Sequence, residues 1–198
     1  MPAMSAGRPM KFDPDIALER AMEAFWSKGF EACSLQDLLK ATGLSKSSLY
    51  HTFGDKRRLF QRCLERYREQ SAQQLANHLR QGRSARSFIA DTLNAAALEA
   101  RSDGKPRGCF VMNTATEFAQ SDAEMADLVA GSLERFRGVY REAVRQGQEA
   151  GEITTERSAE ELAAYLVTAM GGLRTMVKGG MDVATARATV EIILRALD

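Results

Sequence analysis

The chain has 198 residues, 44% of them hydrophobic, which is enough for one large or two small globular units with a real core. Its formal charge is only +1, but residues Gly7 to Arg68 carry 12 Lys or Arg against 8 Asp or Glu while the remainder carries 15 against 18, so a basic N-terminal module precedes a mildly acidic body. Cys33, Cys63 and Cys109 are odd in number and widely spaced, which excludes a disulfide framework or a CxxC zinc site, and no stretch approaches the roughly 18 apolar residues of a membrane span.

Residues 1–12 are rich in Pro, Gly and Met and read as a flexible arm without the apolar run of a signal peptide. A cytoplasmic protein with no membrane partner is expected. Apolar residues then recur three and four apart through most of the chain, with no alternating Val/Ile/Thr segments, so the expected fold is all-α with about nine helices.

Asp13-Pro14 supplies an N-cap and a first-turn proline for a helix ending near Gly29, with Ile16, Ala17, Ala21, Ala24 and Phe25 as its buried stripe. Ser34 caps a short helix that turns Leu35, Leu38 and Leu39 inward and stops at Thr42-Gly43. Ser45 caps another, running to Phe53. Gly54-Asp55 breaks the chain and restarts it as a long helix over 55–79, and residues 13–60 form a three-helix head.

Residues 80–198 form a larger helical body. Its helices are expected over Ala85 to about Arg101, Cys109 to Phe118, Asp122 to about Glu149, Ala159 to Lys178, and Val183 to Leu197. Ser121 with Glu124, and Ser158 with Glu161, have the spacing of a capping box.

The segment Ser34 to Phe53 carries the function. Two short helices separated by a glycine turn allow the second to be braced across the first and presented outward. On the second helix Leu49 and Phe53 share one side, and Leu44 closes onto Leu49 as a staple. The other side carries Ser47 and His51 flanked by Ser48 and Tyr50, with Lys46 in the first turn. All can donate hydrogen bonds and none is acidic, as suits phosphates and base edges. Lys56, Arg57 and Arg58 crowd the next helix's first turn, where the macrodipole favours anions, and a docked phosphate relieves that conflict. A merely solvated surface helix and charge run remain the alternative.

The run from Ser34 to Phe60, above all Leu49-Tyr50-His51-x-Phe53-x-x-Lys56, resembles the head of TetR-family regulators, and the likeness extends over roughly Asp13 to Tyr67. It implies a helix-turn-helix domain on a ligand-binding and dimerisation domain. Tyr50 and Lys56 would contact phosphates, Ser34 would cap its helix while touching the DNA backbone, and Gln36, Lys46, Ser47, Ser48 and His51 would approach bases or phosphates. Gln36 and Ser47 are the expected sequence readers, and Arg8 in the arm would enter the minor groove. The implied partners are a double-stranded DNA operator, a second copy of the chain and a small-molecule effector of unknown identity. Two heads of such a dimer would lie about 34–36 Å apart on a pseudo-palindrome. Repression is the family's usual outcome.

The last two helices are the expected dimer interface, with Ala163, Ala164, Ala169, Gly171 and Gly172 allowing close approach and Leu162, Leu166, Leu173, Ile192 and Ile193 adding apolar contact. Cys109, Phe110, Asn113, Phe136, Tyr140, Tyr165 and Met170 are the candidate effector or sensor residues, against the alternative that they are simply core. The segment Gly108-Cys109-Phe110-Val111-Met112-Asn113 resembles one branch of TetR-like regulators, some of them responsive to electrophiles or oxidants through a thiol. Lys105, Arg107 and the helix start would stabilise a Cys109 thiolate. No catalytic constellation, metal set or cofactor motif is present in the sequence, whose only histidines are His51 and His78. The other open class is a helical ligand-binding or protein-interaction module without specific DNA binding.

Overall fold

The structure is a computed structural model and describes residues 12–101, 105–118 and 121–198. Among these residues it holds nine α-helices and no strand: α1 Pro14–Lys28, α2 Leu35–Thr42, α3 Lys46–Phe53, α4 Lys56–Gln81, α5 Ala85–Leu98, α6 Phe110–Phe118, α7 Ala123–Glu149, α8 Ala159–Lys178 and α9 Val183–Arg195, with a single 3-10 turn at Glu99–Arg101. The chain divides into two compact units, Met1–Cys63 and Leu64–Asp198.

In the first unit the local chemistry sets the helix ends. Asp13 accepts the amides of Asp15 and Ile16 to open α1, Ser34 and Asp37 form a reciprocal capping box on α2, and Ser45 accepts the amide of Ser48 to open α3. Gly43 takes the left-handed conformation, φ 71°, that lets α2 end and the chain turn into α3. The core is a cluster of Phe25, Leu38, Leu49, Leu59, Phe60 and Leu64's neighbour Cys63, all buried, with Phe25 and Phe60 edge-to-face at 4.9 Å and Phe30 against Phe60 at 5.2 Å. Each fully buried aromatic contributes roughly 1.5–3 kcal/mol over an exposed one. The expected stripe of α1 is corrected at Ile16, which is 53% exposed. Leu18 and Met22 fill that side of the core instead, and Ala24 is only half-buried.

In the second unit α5 is the central helix and packs against α7, α8 and α9. Phe88, Ile89, Leu93 and Ala97 of α5 meet Tyr140 and Val144 of α7, Leu162, Leu166 and Leu173 of α8, and Val190 and Ile193 of α9. The chain end is fastened to this core, because Leu197 is buried and its carbonyl accepts the Thr154 amide at 2.9 Å. Ser158 and Glu161 form the expected capping box on α8. The one expected at Ser121 does not form: Asp122 caps α7 by accepting the Met125 amide, because the amides of Ser121 and Asp122 are both drawn back to the Phe118 carbonyl. Among the described residues no helix is long and apolar enough to cross a membrane, and no three His, Cys, Asp or Glu side chains gather as a metal site.

Candidate nucleic-acid interface and sensor residues

The face of α3 that points away from the first unit's core is set by two anchors. Leu49 is fully buried and Phe53 nearly so, while Lys46, Ser47, Tyr50 and His51 are exposed and Ser48 is half-buried. Ser48 is partly spoken for, since its hydroxyl accepts from Ser45 Oγ at 2.9 Å. Lys46 lies over the Tyr50 ring at 5.9 Å, so its ammonium and the phenol hydroxyl occupy one patch.

One device that was not anticipated from the sequence holds α3 in place, beside the expected turn at Gly54-Asp55. Arg62 of α4 donates to the Thr52 carbonyl at 3.2 Å and lies over the Phe53 ring at 5.0 Å, so one side chain caps the end of α3 and covers its anchor. Gly54, φ 83°, makes the turn into α4 where a Cβ would meet Arg58 Cδ at 2.9 Å. Asp55 accepts the Arg58 amide at 2.8 Å, so the helix start that carries three cations also has a carboxylate cap. Lys56 Nζ lies 4.4 Å from the centre of the Phe30 ring, so its charged head rests on an aromatic face at the start of α4.

Gln36 is exposed on α2, and Ser34 is committed to the cap: its hydroxyl donates to Asp37 Oδ2 at 2.8 Å and accepts the Asp37 amide at 3.1 Å. Lys28 at the end of α1 donates to the same carboxylate at 2.5 Å, and this bond, together with those from Ser34, holds the Asp37 carboxyl down to about 2. The end of α1 is thereby locked to the start of α2. Arg8 lies outside the described residues.

The second unit distributes the candidate sensor residues unevenly. Phe110, Phe136 and Tyr140 are buried, with Tyr140 donating to Thr92 Oγ1 at 3.4 Å and tilted against Phe88 at 5.9 Å. Met170 is half-buried, and Tyr165 is 38% exposed on the outer face of α8. Asn113 is fully engaged, donating to the Arg107 carbonyl and accepting from Lys178, both at 2.9 Å, which marks it as a strut between α6 and α8. Cys109 directly precedes α6, is partly exposed, and accepts a hydrogen bond from Tyr67 Oη at 3.8 Å. Cys33 and Cys63 are buried, and burial pushes the Cys33 thiol up.

Around Cys109 stands a polar group that no local sequence pattern announces. Arg174 of α8 pairs with Glu99 at 3.0 Å and acts electrostatically on Tyr67, Cys109 and Tyr140. Burial pushes the Tyr67 and Tyr140 phenols upward, so both are hydroxyl donors throughout the physiological range. Most of the apolar residues expected at the interface of the last two helices, Leu162, Ala163, Leu166, Gly171, Leu173 and Ile193, are buried in the unit's own core. The opposite face of α8 and α9 is the open one, with Tyr165, Gly172, Met176 and Ile192 exposed.

Comparison with known proteins agrees with this architecture. Residues 17–63 match the family described as bacterial regulatory proteins, tetR family, and residues 86–192 match the tetracyclin repressor-like C-terminal domain. The chain is 33% identical over 177 residues to the HTH-type transcriptional repressor ComR of Escherichia coli (strain K12), covering 89% of this chain and 84% of that one. It is 36% identical over 106 residues, 54% of each chain, to the HTH-type transcriptional repressor BdcR of the same organism. Among solved structures, a cysteine mutant of the TetR family transcriptional regulator CifR, in complex with 26-bp double-strand operator DNA, superimposes with a TM-score of 0.81 at 32% identity, over 97% of this chain and 100% of that one. An all-helical fold, a helix-turn-helix head with a donor-rich outer helix, and matches to both halves over most of the length lead to one conclusion: the chain belongs to the TetR family of DNA-binding transcriptional regulators.

Proposed function

We propose that the protein is a repressor that binds a pseudo-palindromic operator as a homodimer, with α3 in the major groove, and that a small-molecule effector held in the second unit releases it. The observation that carries this reading is the outward face of α3, where Lys46, Ser47, Tyr50 and His51 are exposed and no residue of the helix is acidic. Tyr50, Lys56 and Lys46 are assigned to phosphates, Ser34 to the backbone beside its cap, and Gln36 and Ser47 to base edges. His51 and Ser48 flank them, Ser48 with the smaller share because its hydroxyl already serves the cap. The relatives named as repressors, and the operator complex of CifR, support the same reading.

Dimerisation is assigned to the exposed face of α8 and α9. Tyr165, Thr168, Gly172 and Met176 recur along one line of α8, and Ala188 and Ile192 along one line of α9, with no charged side chain on either line. Tyr165, exposed on this face, belongs to the interface and not to the effector contacts. Phe110, Phe136, Tyr140 and Met170 remain the candidate effector contacts.

A second reading of the control signal rests on Cys109, which is the partly exposed one of the three cysteines and has the Tyr67 hydroxyl and Arg174 beside it. Release of operator DNA by N-ethylmaleimide that persists in Cys109→Ser overturns it. The main reading is tested by fluorescence anisotropy of duplex operator fragments. Tight binding with a steep salt dependence, lost in a Tyr50→Ala, Lys56→Ala double variant, is the expected result; equal binding by the variant overturns it.

A further inference from the structure

The polar groups on the outward face of α3 are not equivalent, because three serine hydroxyls at its start are linked to one another. Ser45 Oγ accepts the Ser48 amide at 3.2 Å and donates its proton to Ser48 Oγ at 2.9 Å. The same oxygen lies 3.1 Å from Ser47 Oγ. A serine hydroxyl has one proton and two lone pairs. With the Ser45 proton given to Ser48, the contact with Ser47 runs one way: Ser47 donates and Ser45 accepts. The Ser45 oxygen is then fully used, with two bonds accepted and one donated. Ser47, exposed on the outward face, keeps its lone pairs but no free proton. Ser48, half-buried, is its complement: its oxygen takes the Ser45 proton, and its own proton has no acceptor among the described residues.

We infer that Ser47 reads its base edge as a hydrogen-bond acceptor, and so selects an exocyclic amine, N6 of adenine or N4 of cytosine, in the major groove. Those are the groups that donate there, whereas N7 and O6 of guanine and O4 of thymine accept. An acceptor set against an acceptor leaves both without a partner, which costs more than a bond gains. For Ser47 to donate to a base it must first give up its bond to Ser45. Every base pair shows one such amine in the major groove, on one strand or the other. Ser47 therefore fixes which strand carries the amine: it separates A·T from T·A and C·G from G·C, and does not separate A·T from C·G. The free Ser48 proton is left for a phosphate oxygen. Ser45 touches no DNA in this scheme; it is a positioning residue that sets the polarity of Ser47. The inference rests on the reading that α3 enters the major groove with Ser47 at the base edges, and it adds the class of base group selected and the residue behind the selection.

The test uses the full chain and the duplex it selects from a random pool. Each adenine of that duplex is replaced in turn by purine and each cytosine by 2-pyrimidinone, which removes the amine; 7-deazaadenine and 7-deazaguanine remove N7 instead. Anisotropy titrations of the parent and Ser47→Ala form a double-mutant cycle in which the altered pairing of the base cancels. At one position of each half-site, loss of the amine should weaken the parent about fivefold more than it weakens Ser47→Ala, the scale of one hydrogen bond. Reversing that base pair should also cost the parent about fivefold. Ser45→Gly retains most of the cap but takes away the acceptor for Ser47, so its penalty for the reversed pair should fall to within about twofold. Ser45→Asp both caps and accepts, and should keep the parent's penalty. Thermal melting reports whether each variant is folded, and the Ser47 cycle decides alone if Ser45→Gly is not. A Ser47-dependent loss on removal of N7, no Ser47-dependent loss at any position, or an unchanged reversed-pair penalty in folded Ser45→Gly overturns the inference and leaves the operator reading intact. A pool from which the chain selects no sequence removes that reading, and the inference with it.

Discussion

At the scale of single residues the proposed interface separates into groups that would hold and groups that would read. Lys46 is exposed and lies over the Tyr50 ring, so Lys46→Ala should weaken binding uniformly across DNA sequences and lower the salt slope by about one. Gln36→Ala should cost about 1–3 kcal/mol on the preferred operator and much less on random duplex, which a competition titration separates. Asp37 belongs to the holding group. Its folded carboxyl lies near 2, below the ordinary 3.8, so the Lys28 and Ser34 bonds stabilise the head fully above about pH 4 and are lost as the pH falls through 2. Chemical denaturation of the chain and of Asp37→Asn should therefore differ at pH 6 and converge toward pH 2. A difference that grows on acidification would contradict the assignment.

At the scale of elements the helix boundaries follow from local chemistry, and local chemistry is what a sequence displays. Asp13-Pro14, Ser34, Ser45 and Ser158 all cap where their side chains and the following apolar pattern place them. The failures are positions where the outcome depends on distant partners. Ile16 shares its periodicity with Ala17, and only the packing of the head decides that Leu18 and Met22 are buried in its stead. At α7 either Ser121 or Asp122 can cap, and the path of the preceding chain chooses Asp122. Two glycines test the geometry directly. Gly43→Ala has open space for its Cβ but must hold φ 71°, so it should destabilise the head by about 1–2 kcal/mol, and Gly43→Asn by less. Gly147→Ala would bring a Cβ to 2.5 Å from Ile153 Cδ1, and the overpacking should lower thermal stability by about 1–3 kcal/mol without changing operator specificity.

At the scale of the whole molecule the head was legible and the proposed effector site was not, for a physical reason. A DNA-reading face is built from one short helix and its flanks, so its donors and anchors are neighbours in sequence. The group of Tyr67, Glu99, Cys109, Tyr140 and Arg174 is assembled from five separate segments, and each member alone reads as ordinary core or surface. The proposed dimer surface has the same difficulty, since the apolar residues of α8 divide between an inner and an outer face. If the outer face is the interface, Ile192→Glu should yield monomers in sedimentation equilibrium, and operator affinity should fall with dimer population. The most direct test of the central claim is selection of bound fragments from random duplex DNA by the full chain, with the Tyr50→Ala, Lys56→Ala variant in parallel. The account predicts enrichment of a pseudo-palindrome whose half-sites lie about one helical turn apart, absent with the variant; fragments no richer in any sequence than the starting pool would contradict it.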